Sequence, residues 1–516
     1  MNLAGGLVNG VLNTVFSVIN GAAVTVPASS LEALANNPSV TYISPDRTVV
    51  GQLDYSAAAV NASAAWKANL TGAGIGVAVI DSGIDIDPDL SVLGLLPRVV
   101  YTKDYTGGNG ADQYGHGTHV AGIIGSNGLE TQCFNCTRSF TGIAPNSSLI
   151  NLRVLDQNGE GSDSSVIQAI QQAIALKQAY NIRVINLSLG RPIFESYKQD
   201  PLCQAVEAAW KAGIVVVAAA GNDGRDNSVG NNGYGTIEAP GNDPYVITVG
   251  AMKAMGTYPR TDDLVASYSS KGPSALDLVV KPDIMAPGNH VVSLLAPNST
   301  LAADSANVVK MSYYQSNGSG NTSSQFMMLN GTSMATPVVT GAVADMLQGQ
   351  PSLTPDQVKA RLMKTAYKTF PTSSTAVDSV TGQSFVSQYD ILTIGAGYLD
   401  IAAALANKDV VKGTALSPTA SYNATSGKVY LAFDPSSTWN EGAWATQEVW
   451  GSAVVDANLA LWGTSALDAN TAIWGDKGVW GSKGVWGSTT TSADKGVWGS
   501  GGSTSDSDVN FTTQYQ

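Results

Sequence analysis

The chain has 516 residues, of which 44% are hydrophobic and 13% are charged, and it contains 55 glycines and 21 prolines. This length exceeds that of one ordinary domain and is sufficient for a large α/β core with additional segments. The net charge of −13 argues against nucleic acids and anionic membranes as partners, because both attract basic surfaces. No apolar run reaches the length of a transmembrane helix, so we expect no membrane-spanning segment.

Residues 1–50 have the pattern of a small α/β unit. Their sequence predicts a strand over 16–27, a short helix over 29–38 and a second strand over 40–50. The first residues carry no basic region, and Asn and Gly interrupt their apolar run, which makes them a poor signal peptide. We therefore expect that an export signal has been removed or that the chain begins within a longer precursor.

Between about residue 70 and residue 404, short apolar segments alternate with helical patterns. We predict strands at 76–81, 149–155, 183–189, 213–222 and 245–251, and helices at 164–180 and 201–212. This alternation predicts a three-layer, doubly wound α/β fold with a mostly parallel sheet and helices on both faces. Ligands of such folds bind at the carboxyl ends of the strands. Polar, glycine-containing segments follow three of the predicted strands and include DSGID, SLG and AAGNDG.

The chain changes character after residue 404. Residues 405–438 resemble a linker with one or two strands, and residues 439–516 contain tryptophan repeats. The tryptophans from 450 to 498 all fall on one six-residue grid, at 450, 462, 474, 480, 486 and 498. An even period places them on one face of an extended or solenoid arrangement, whereas the Gly/Ser content is also typical of a flexible low-complexity tail. Both interpretations remain open.

The three cysteines give limited information about metal binding and redox chemistry. Cys133 and Cys136 form a C-x-x-C motif, and Cys203 lies in a predicted helix. A zinc site needs four ligands, and no second motif or nearby His pair completes one. We expect a disulfide between Cys133 and Cys136 and a buried thiol at Cys203. A disulfide would indicate an oxidising compartment.

Three separate residues carry side chains suited to nucleophilic chemistry: Asp81 at the end of an apolar segment, His116 before a helical pattern, and Ser333. Each one alone has an ordinary explanation as a turn or cap residue. A serine hydroxyl becomes a nucleophile only when a base removes its proton, and the base needs a carboxylate that fixes its tautomer and stabilises its cation. The three residues together supply these parts, and the chain has only three histidines in all.

The segments around these residues resemble, in order, the three active-site motifs of the subtilisin-like serine proteases: VAVIDSGID, GHGTHVAGIIG and NGTSMATPVVTGAVA. Supporting segments such as VINLSLG, VVVAAAGNDG and KPDIMAPG also match, and the resemblance covers about residues 60–404. We therefore predict a catalytic domain at 51–404. The resemblance implies that Asp81 orients His116, that His116 is general base and then acid, and that Ser333 attacks the scissile carbonyl. His119 would be a structural neighbour of the base.

The resemblance also implies further roles around the catalytic residues. The side chain of Asn222 and the backbone N–H of Ser333 would form the oxyanion hole. The peptide substrate would pair with two chain edges, one formed by Ser188, Leu189 and Gly190 and the other by Gly161 and Ser162. Its P1 side chain would enter a pocket lined by Ala219, Ala220 and Gly221. Because no acidic cluster stands in these segments, we expect a broad or apolar P1 preference.

The same resemblance gives the flanking segments a meaning. Residues 1–50 resemble the second half of an inhibitory propeptide, so we expect a secreted zymogen that cleaves itself between about residues 50 and 60. The chemistry requires no cofactor. Calcium is the usual structural ion of the family, and the oxygen-rich loops DIDPDL (85–90) and DYTGGNGADQ (104–113) could hold it, although we assign no ligands.

Two segments depart from the family pattern. Residues 298–325 are longer and more polar than expected before the serine motif and predict a flexible loop near the cleft. The tryptophan repeats lie outside the catalytic family. Since exposed aromatic rings can stack on sugars or contact a partner, the alternative hypothesis is a surface-binding or anchoring protein whose repeats are its main functional part. A different hydrolase fold is excluded, because Ser333 lacks a G-x-S-x-G context and the order Asp, His, Ser differs from that fold.

Overall fold

The computed structural model describes residues 11–16, 21–40, 55–228, 230–378, 381–423, 428–434 and 436. The chain divides into two units, Met1–Val50 and Gly51–Gln516. The predicted tryptophan repeats at 439–516 lie outside the described residues, so their strand-like and low-complexity interpretations both stay predictions.

The first unit contains a β-hairpin followed by a short helix. Strands β1 (Val11–Phe16) and β2 (Gly21–Thr25) pair antiparallel, and helix α1 (Leu31–Ala35) follows. The predicted strand at 16–27 therefore corresponds to β2, whereas β1 was not predicted. The predicted strand at 40–50 lies, apart from Val40, outside the described residues.

The second unit contains the predicted alternation of strands and helices. Its helices are α2 (Ser56–Ala59), α3 (Ser63–Lys67), α4 (His116–Gly125), α5 (Asp163–Tyr180), α6 (Pro201–Lys211), α7 (Thr332–Gly349), α8 (Pro355–Thr365), α9 (Ile391–Ile394) and α10 (Ile401–Ala406). Its strands are β3 (Gly76–Asp81), β4 (Ser91–Val92), β5 (Leu96–Pro97), β6 (Val99–Asp104), β7 (Ser148–Arg153), β8 (Ile182–Leu187), β9 (Val215–Ala219), β10 (Ile247–Lys253), β11 (Leu264–Val265), β12 (Ile284–Asn289), β13 (Val291–Leu294), β14 (Val308–Lys310), β15 (Thr322–Leu329), β16 (Ser373–Val377), β17 (Ser384–Gln388), β18 (Thr419–Asn423) and β19 (Lys428–Ala432).

A mostly parallel sheet forms the centre of this unit. Among the described strands its order is β11-β10-β9-β8-β3-β7-β6, with β12 also paired to β10, and all of these pairs are parallel except β10 with β11. Strand β3 is buried along its whole length, as apolar parallel strands covered on both faces require. Because β7 and β8 flank β3, the winding direction reverses there. The carboxyl end of β3, where Asp81 lies, is therefore the expected place for a ligand site.

Helices cover both faces of the sheet, which confirms the predicted three-layer α/β fold. Helices α4 and α7 pack against each other and against the sheet, and α5 and α6 form a second packed pair against it. The helix starts follow from local chemistry. Ser162 caps α5 by accepting from the N–H of Ser165, and Asp200 caps α6 by accepting from the N–H of Leu202, so each satisfies a backbone donor that has no helical partner.

The segment at 298–325 is only partly a loop. It contains β14 and the first residues of β15, and these join β13 in an antiparallel sheet of order β13-β15-β14. Apolar side chains hold this part of the chain against the rest of the second unit, although the segment is polar on average. Tyr314 and Phe326 are buried, their ring centroids lie 5.2 Å apart, and Phe326 packs 4.8 Å from Phe140.

Part of the predicted linker at 405–438 lies within the second unit and is hydrogen-bonded to earlier residues of it. Strands β18 and β19 form a hairpin, and the N–H of Val280 donates to the carbonyl of Pro418 while Ala420 donates to Leu278. The Ser417 hydroxyl also donates to Asp283 Oδ1 over 2.5 Å. The division at residue 404 stays a prediction, but residues 417–420 are hydrogen-bonded to residues on the other side of it.

Candidate active site

Asp81 and His116 form the centre of the site. Asp81 is the last residue of β3, and His116 is the first residue of α4. His116 Nδ1 lies 2.8 Å from Asp81 Oδ1, and both side chains are only 1% exposed. A carboxylate at this distance holds the proton on Nδ1 and leaves Nε2 as the nitrogen that can accept a proton.

A second carboxylate holds the start of α4 in place. Asp112 Oδ1 accepts from the N–H of Gly115 and from the Ser82 hydroxyl, while Oδ2 accepts from the N–H of Thr118. The Ser82 hydroxyl oxygen in turn accepts from the N–H of Gly117. Asp112 and Ser82 were missed from the sequence, although an acid just before a predicted helix start is the usual signal of a cap.

The environment of His116 favours its charged form. Burial alone would lower the pKa of His116, but the charge of Asp81 and its hydrogen bond outweigh burial, with a smaller contribution from Asp112, and raise the pKa above the ordinary value of 6.5. Its neighbour His119 behaves in the opposite way. Burial and the proximity of His116 lower the pKa of His119 to about 3, and its Nε2 lies 3.1 Å from the carbonyl oxygen of Val291.

Ser333 is the second residue of α7 and is 1% exposed. Its hydroxyl donates to the carbonyl oxygen of Ser188 over 3.2 Å, and His116 Nε2 has no hydrogen-bond partner among the described residues. No hydrogen bond between Ser333 and His116 is therefore present among the described residues. Hydrogen bonds of this kind are often absent before substrate binds.

Asn222 lies beside the start of α7. Its Oδ1 accepts from the N–H of Thr332 over 2.9 Å and from the Thr332 hydroxyl over 3.2 Å. These two donors assign Oδ1 to the side facing Thr332 and leave Nδ2 as a donor for another group. The N–H of Ser333 is among the first four of the helix, which have no helical acceptor. The site therefore presents two donors next to Ser333.

The other predicted site residues lie at strand ends or a helix start. Ser188, Leu189 and Gly190 follow β8, and Ala219 ends β9 with Ala220 and Gly221 directly after it. Gly161 and Ser162 precede α5. Two residues behind Ser188 were missed from the sequence: Asn186 Nδ2 donates to the Ser188 hydroxyl, and Asn186 Oδ1 accepts from the Thr340 hydroxyl.

The cysteines lie away from these groups in the sequence and have different states. Cys133 and Cys136 form a disulfide. Cys203 is a buried free thiol in α6, and burial raises its pKa far above the ordinary range. A buried thiol with a raised pKa is a poor nucleophile, so Cys203 has a packing role.

Three carboxylates form a candidate cation site. Oxygens of Asp87, Asp89 and Glu130 all lie within 4.8 Å of one another. Burial, and then the neighbouring carboxylates, raise the pKa of Asp87 to about 6 and that of Glu130 to about 7. Glu130 Oε2 is buried and has no hydrogen-bond partner in the described part of the chain. Three oxygen ligands with an unpaired buried oxygen fit a hard cation such as calcium.

The second oxygen-rich loop, 104–113, uses its carboxylates internally. Asp104 accepts from the N–H of Thr106 and of Gly110 and pairs with Arg153 over 3.2 Å. Asp112 holds the start of α4. The geometry thus favours the first loop, 85–90, as the place for a cation.

A buried Asp–His pair, a serine at a helix start and two adjacent donors at the carboxyl end of a parallel sheet define a hydrolase of the serine-nucleophile class. The comparison with known proteins gives the family. The Subtilase family model matches residues 72–387, and this chain belongs to that family.

Named relatives agree with this assignment. The chain is 36% identical to serine protease AprX of Bacillus subtilis (strain 168) over 362 residues, which cover 68% of this chain and 75% of that protein. It is 35% identical to subtilisin E of the same organism over 356 residues, covering 68% and 76% of the two chains. It is 36% identical to a subtilisin of Bacillus pumilus over 314 residues, or 60% and 90% of the two chains.

The protein is therefore a serine endopeptidase, a hydrolase of the subtilisin type. None of the helices in the described residues is long and apolar enough to cross a membrane.

Proposed function

We propose that Ser333, His116 and Asp81 form the catalytic triad and that Asn222 and the N–H of Ser333 form the oxyanion hole. The observation that carries this proposal is the 2.8 Å pair between His116 Nδ1 and Asp81 Oδ1, which lies buried at the carboxyl end of the central strand. Nothing else in the described residues combines a buried, oriented imidazole with a free Nε2.

Catalysis begins when the Ser333 hydroxyl turns from the carbonyl of Ser188 to His116 Nε2. Nε2 takes the hydroxyl proton as Oγ attacks the scissile carbonyl carbon, and Asp81 stabilises the imidazolium. His116 then gives the proton to the leaving amine, and the acyl-enzyme remains on Ser333. A water molecule, deprotonated by His116, attacks the acyl group and releases the second product.

The oxyanion forms where Asn222 Nδ2 and the N–H of Ser333 can donate to it. The contacts of Asn222 Oδ1 with Thr332 support this role because they fix the amide before substrate arrives. The N-terminal end of α7 also favours negative charge. In subtilisin itself, loss of the asparagine donor lowers kcat by an amount equal to about 2.7–4 kcal/mol of activation free energy. We expect a loss of that order for Asn222→Ala.

Substrate binds, in this proposal, between residues 188–190 and residues 161–162, with its P1 side chain near Ala219, Ala220 and Gly221. The segments 188–190 and 219–221 directly follow parallel strands, where ligands of such sheets bind. The small residues leave room for the peptide backbone. The expectation of a broad or apolar P1 preference rested on these segments alone, and one further side chain, Glu238, bears on it.

The protein acts, we further propose, as a secreted, self-processing zymogen with residues 1–50 as its inhibitory segment. The support is the separate compact unit Met1–Val50 and the sequence resemblance of this segment to a propeptide. Intact mass and N-terminal sequencing of wild type beside Ser333→Ala test it. A new N-terminus between about residues 50 and 60 in wild type only is expected, and identical N-termini would contradict self-processing.

Hydrolysis of casein and of a peptide substrate by purified wild type, Ser333→Ala and Asn222→Ala tests the catalytic roles. We expect Ser333→Ala to abolish hydrolysis and Asn222→Ala to reduce kcat by about 100- to 1,000-fold with little change in KM. Equal activity of Ser333→Ala and wild type would overturn the assignment. Deletion of 439–516 tests the anchoring role: unchanged retention at a cell surface after deletion would eliminate it.

A further inference from the structure

Glu238 lies between two chain segments assigned to substrate binding, the edge 188–190 and the P1 pocket residues 219–221. Its backbone N–H donates to the carbonyl of Ala220 over 3.0 Å, and the next residue, Ala239, exchanges two backbone hydrogen bonds with Arg191. One neighbouring segment therefore leads to Gly221 and the other contains Gly190. Glu238 follows the segment 219–224 by more than ten residues, so its place beside the pocket could not be read from local sequence.

The Glu238 side chain occupies space that two glycines leave open. A Cβ at residue 190 would lie 2.5 Å from Glu238 Oε2, and a Cβ at residue 221 would lie 2.8 Å from Glu238 Cγ and 3.0 Å from its Cδ. Any larger residue at these positions would compete with the carboxyl group. The carboxyl group therefore lies between the two segments, and Glu238 remains half-buried, so solvent still reaches it.

In the described part of the chain, the protein supplies no cationic partner for the Glu238 carboxyl group. Among the described residues the carboxylate has neither an ion pair nor a hydrogen-bond donor. Arg191 is adjacent along the neighbouring segment, but its guanidinium pairs with Asp163 and Asp200. Burial, and then the charge of Asp223, raise the pKa of Glu238 to about 8. A half-buried carboxyl group without a cation thus stands where a substrate side chain would enter.

We propose that Glu238 makes the P1 pocket selective for basic side chains, lysine or arginine. This inference rests on the proposed function, because it assumes that residues 219–221 line the P1 pocket and that residues 188–190 bind the adjoining substrate backbone. A substrate ammonium or guanidinium would give the carboxylate the partner it lacks, and Asp223 adds negative charge at the same place. An apolar P1 side chain would instead desolvate the carboxyl group without compensation.

Peptide substrates that differ only at P1 test the proposal. Arginine is compared with citrulline, which has nearly the same shape but no charge, and lysine with norleucine. We expect wild type to have a kcat/KM about 10- to 100-fold higher for the charged member of each pair, as for a hydrogen bond to a charged group. Glu238→Gln should reduce that ratio to near one while norleucine cleavage changes less than about threefold.

Glu207→Gln is the matched control, because it makes the same chemical change at a glutamate of α6 that pairs with Lys211. It should leave both ratios unchanged. If Glu238→Gln does not fold, sequencing of the products that wild type makes from a denatured protein keeps the test open, and lysine and arginine should dominate at P1.

Better cleavage after norleucine than after lysine by wild type, or unchanged ratios in folded Glu238→Gln, would overturn the role of Glu238 and leave the protease assignment intact. Failure of wild type to cleave any peptide would contradict the proposed function as well.

Discussion

The hydroxyl of Ser188 donates to the carbonyl oxygen of Ser333 over 2.8 Å. In a regular helix that carbonyl would accept from the N–H of residue 337, but Pro337 has no N–H. Ser188 therefore replaces the helical hydrogen bond that the proline removes. A proline inside α7 is tolerated because the neighbouring segment satisfies the freed carbonyl, and the same contact ties the candidate nucleophile to the end of β8.

Ser188→Ala is expected to destabilise the protein. The change leaves the buried carbonyl of Ser333 without a donor, which costs about 1–3 kcal/mol in the free energy of unfolding. Urea unfolding of both proteins in a Ser333→Ala background, which prevents self-digestion, measures the difference. Ser305→Ala removes an exposed hydroxyl and should cost less than about 0.5 kcal/mol. Equal effects of the two changes would contradict the role of Ser188.

Thr340 supports the same contact from within α7. Its hydroxyl donates to Asn186 Oδ1, and Asn186 Nδ2 donates to the Ser188 hydroxyl. Thr340→Val keeps the shape but removes the donor, so we expect a loss of about 1–3 kcal/mol of stability and a fall in kcat with little change in KM. Thr340→Ser keeps the hydroxyl and should preserve kcat. A Thr340→Ser variant as impaired as Thr340→Val would show that the methyl group matters and the network does not.

The pH dependence of kcat/KM should follow the protonation of His116. Because the pKa of His116 is raised above 6.5 and only the neutral imidazole accepts a proton, activity should rise with pH through a midpoint above 6.5. Asp81→Asn removes the charge that favours the imidazolium, so the midpoint should move to lower pH while kcat falls about 10⁴-fold. A midpoint that stays in place in Asp81→Asn would contradict the pairing.

Calcium should stabilise the protein through the cluster of Asp87, Asp89 and Glu130. A ligand that binds only the folded state stabilises it by about 2.7 kcal/mol at a concentration one hundred times Kd, so chelation should lower Tm. Glu130→Gln removes one ligand and should reduce the shift of Tm that calcium causes. Glu195→Gln, at an exposed glutamate, is the control. A wild-type Tm that does not respond to calcium, or an equal response in Glu130→Gln, would contradict the site.

Truncation tests whether residues 405–438 belong to the catalytic unit. A chain ending at residue 404 loses the backbone hydrogen bonds to Val280 and Leu278 and the Ser417 hydroxyl beside Asp283 and Lys359. We expect a loss of at least about 2 kcal/mol, since each hydrogen bond contributes about 1 kcal/mol. A chain ending at residue 438 should keep its Tm. Equal Tm values for both truncations would instead support a free linker after residue 404.

The sequence predicted β3, β7, β8, β9 and β10 because these strands are apolar and mostly buried, whereas β6, β11 and β12 of the same sheet were not predicted. The predicted segment 76–81 coincides with β3, and the predicted helix 164–180 begins one residue after the observed start of α5. Hydrophobic periodicity follows burial directly, so these elements could be predicted from the sequence. The strands in 298–325 were missed because a polar composition outweighed a short apolar run around Phe326.

The groups that act across the fold were the hardest to predict. Glu238 lies beside Gly190 only because residues 238–239 pair with two separate segments. The Ser188 hydroxyl and Thr340 likewise become partners of Ser333 and Asn186 through packing of α7 against the sheet. No local pattern encodes such contacts, whereas Asp81, His116 and Ser333 lie in the motifs from which we predicted them.

The most direct measurement of the central claim is labelling with a fluorophosphonate, which reacts with an activated serine, followed by peptide mapping by mass spectrometry. We predict one adduct on Ser333 in the mature wild-type protein and its loss in Ser333→Ala. His116→Ala should label far more slowly, because the base is missing. No adduct on wild type, or an adduct on another serine that persists in Ser333→Ala, would contradict the assignment of Ser333 as the nucleophile.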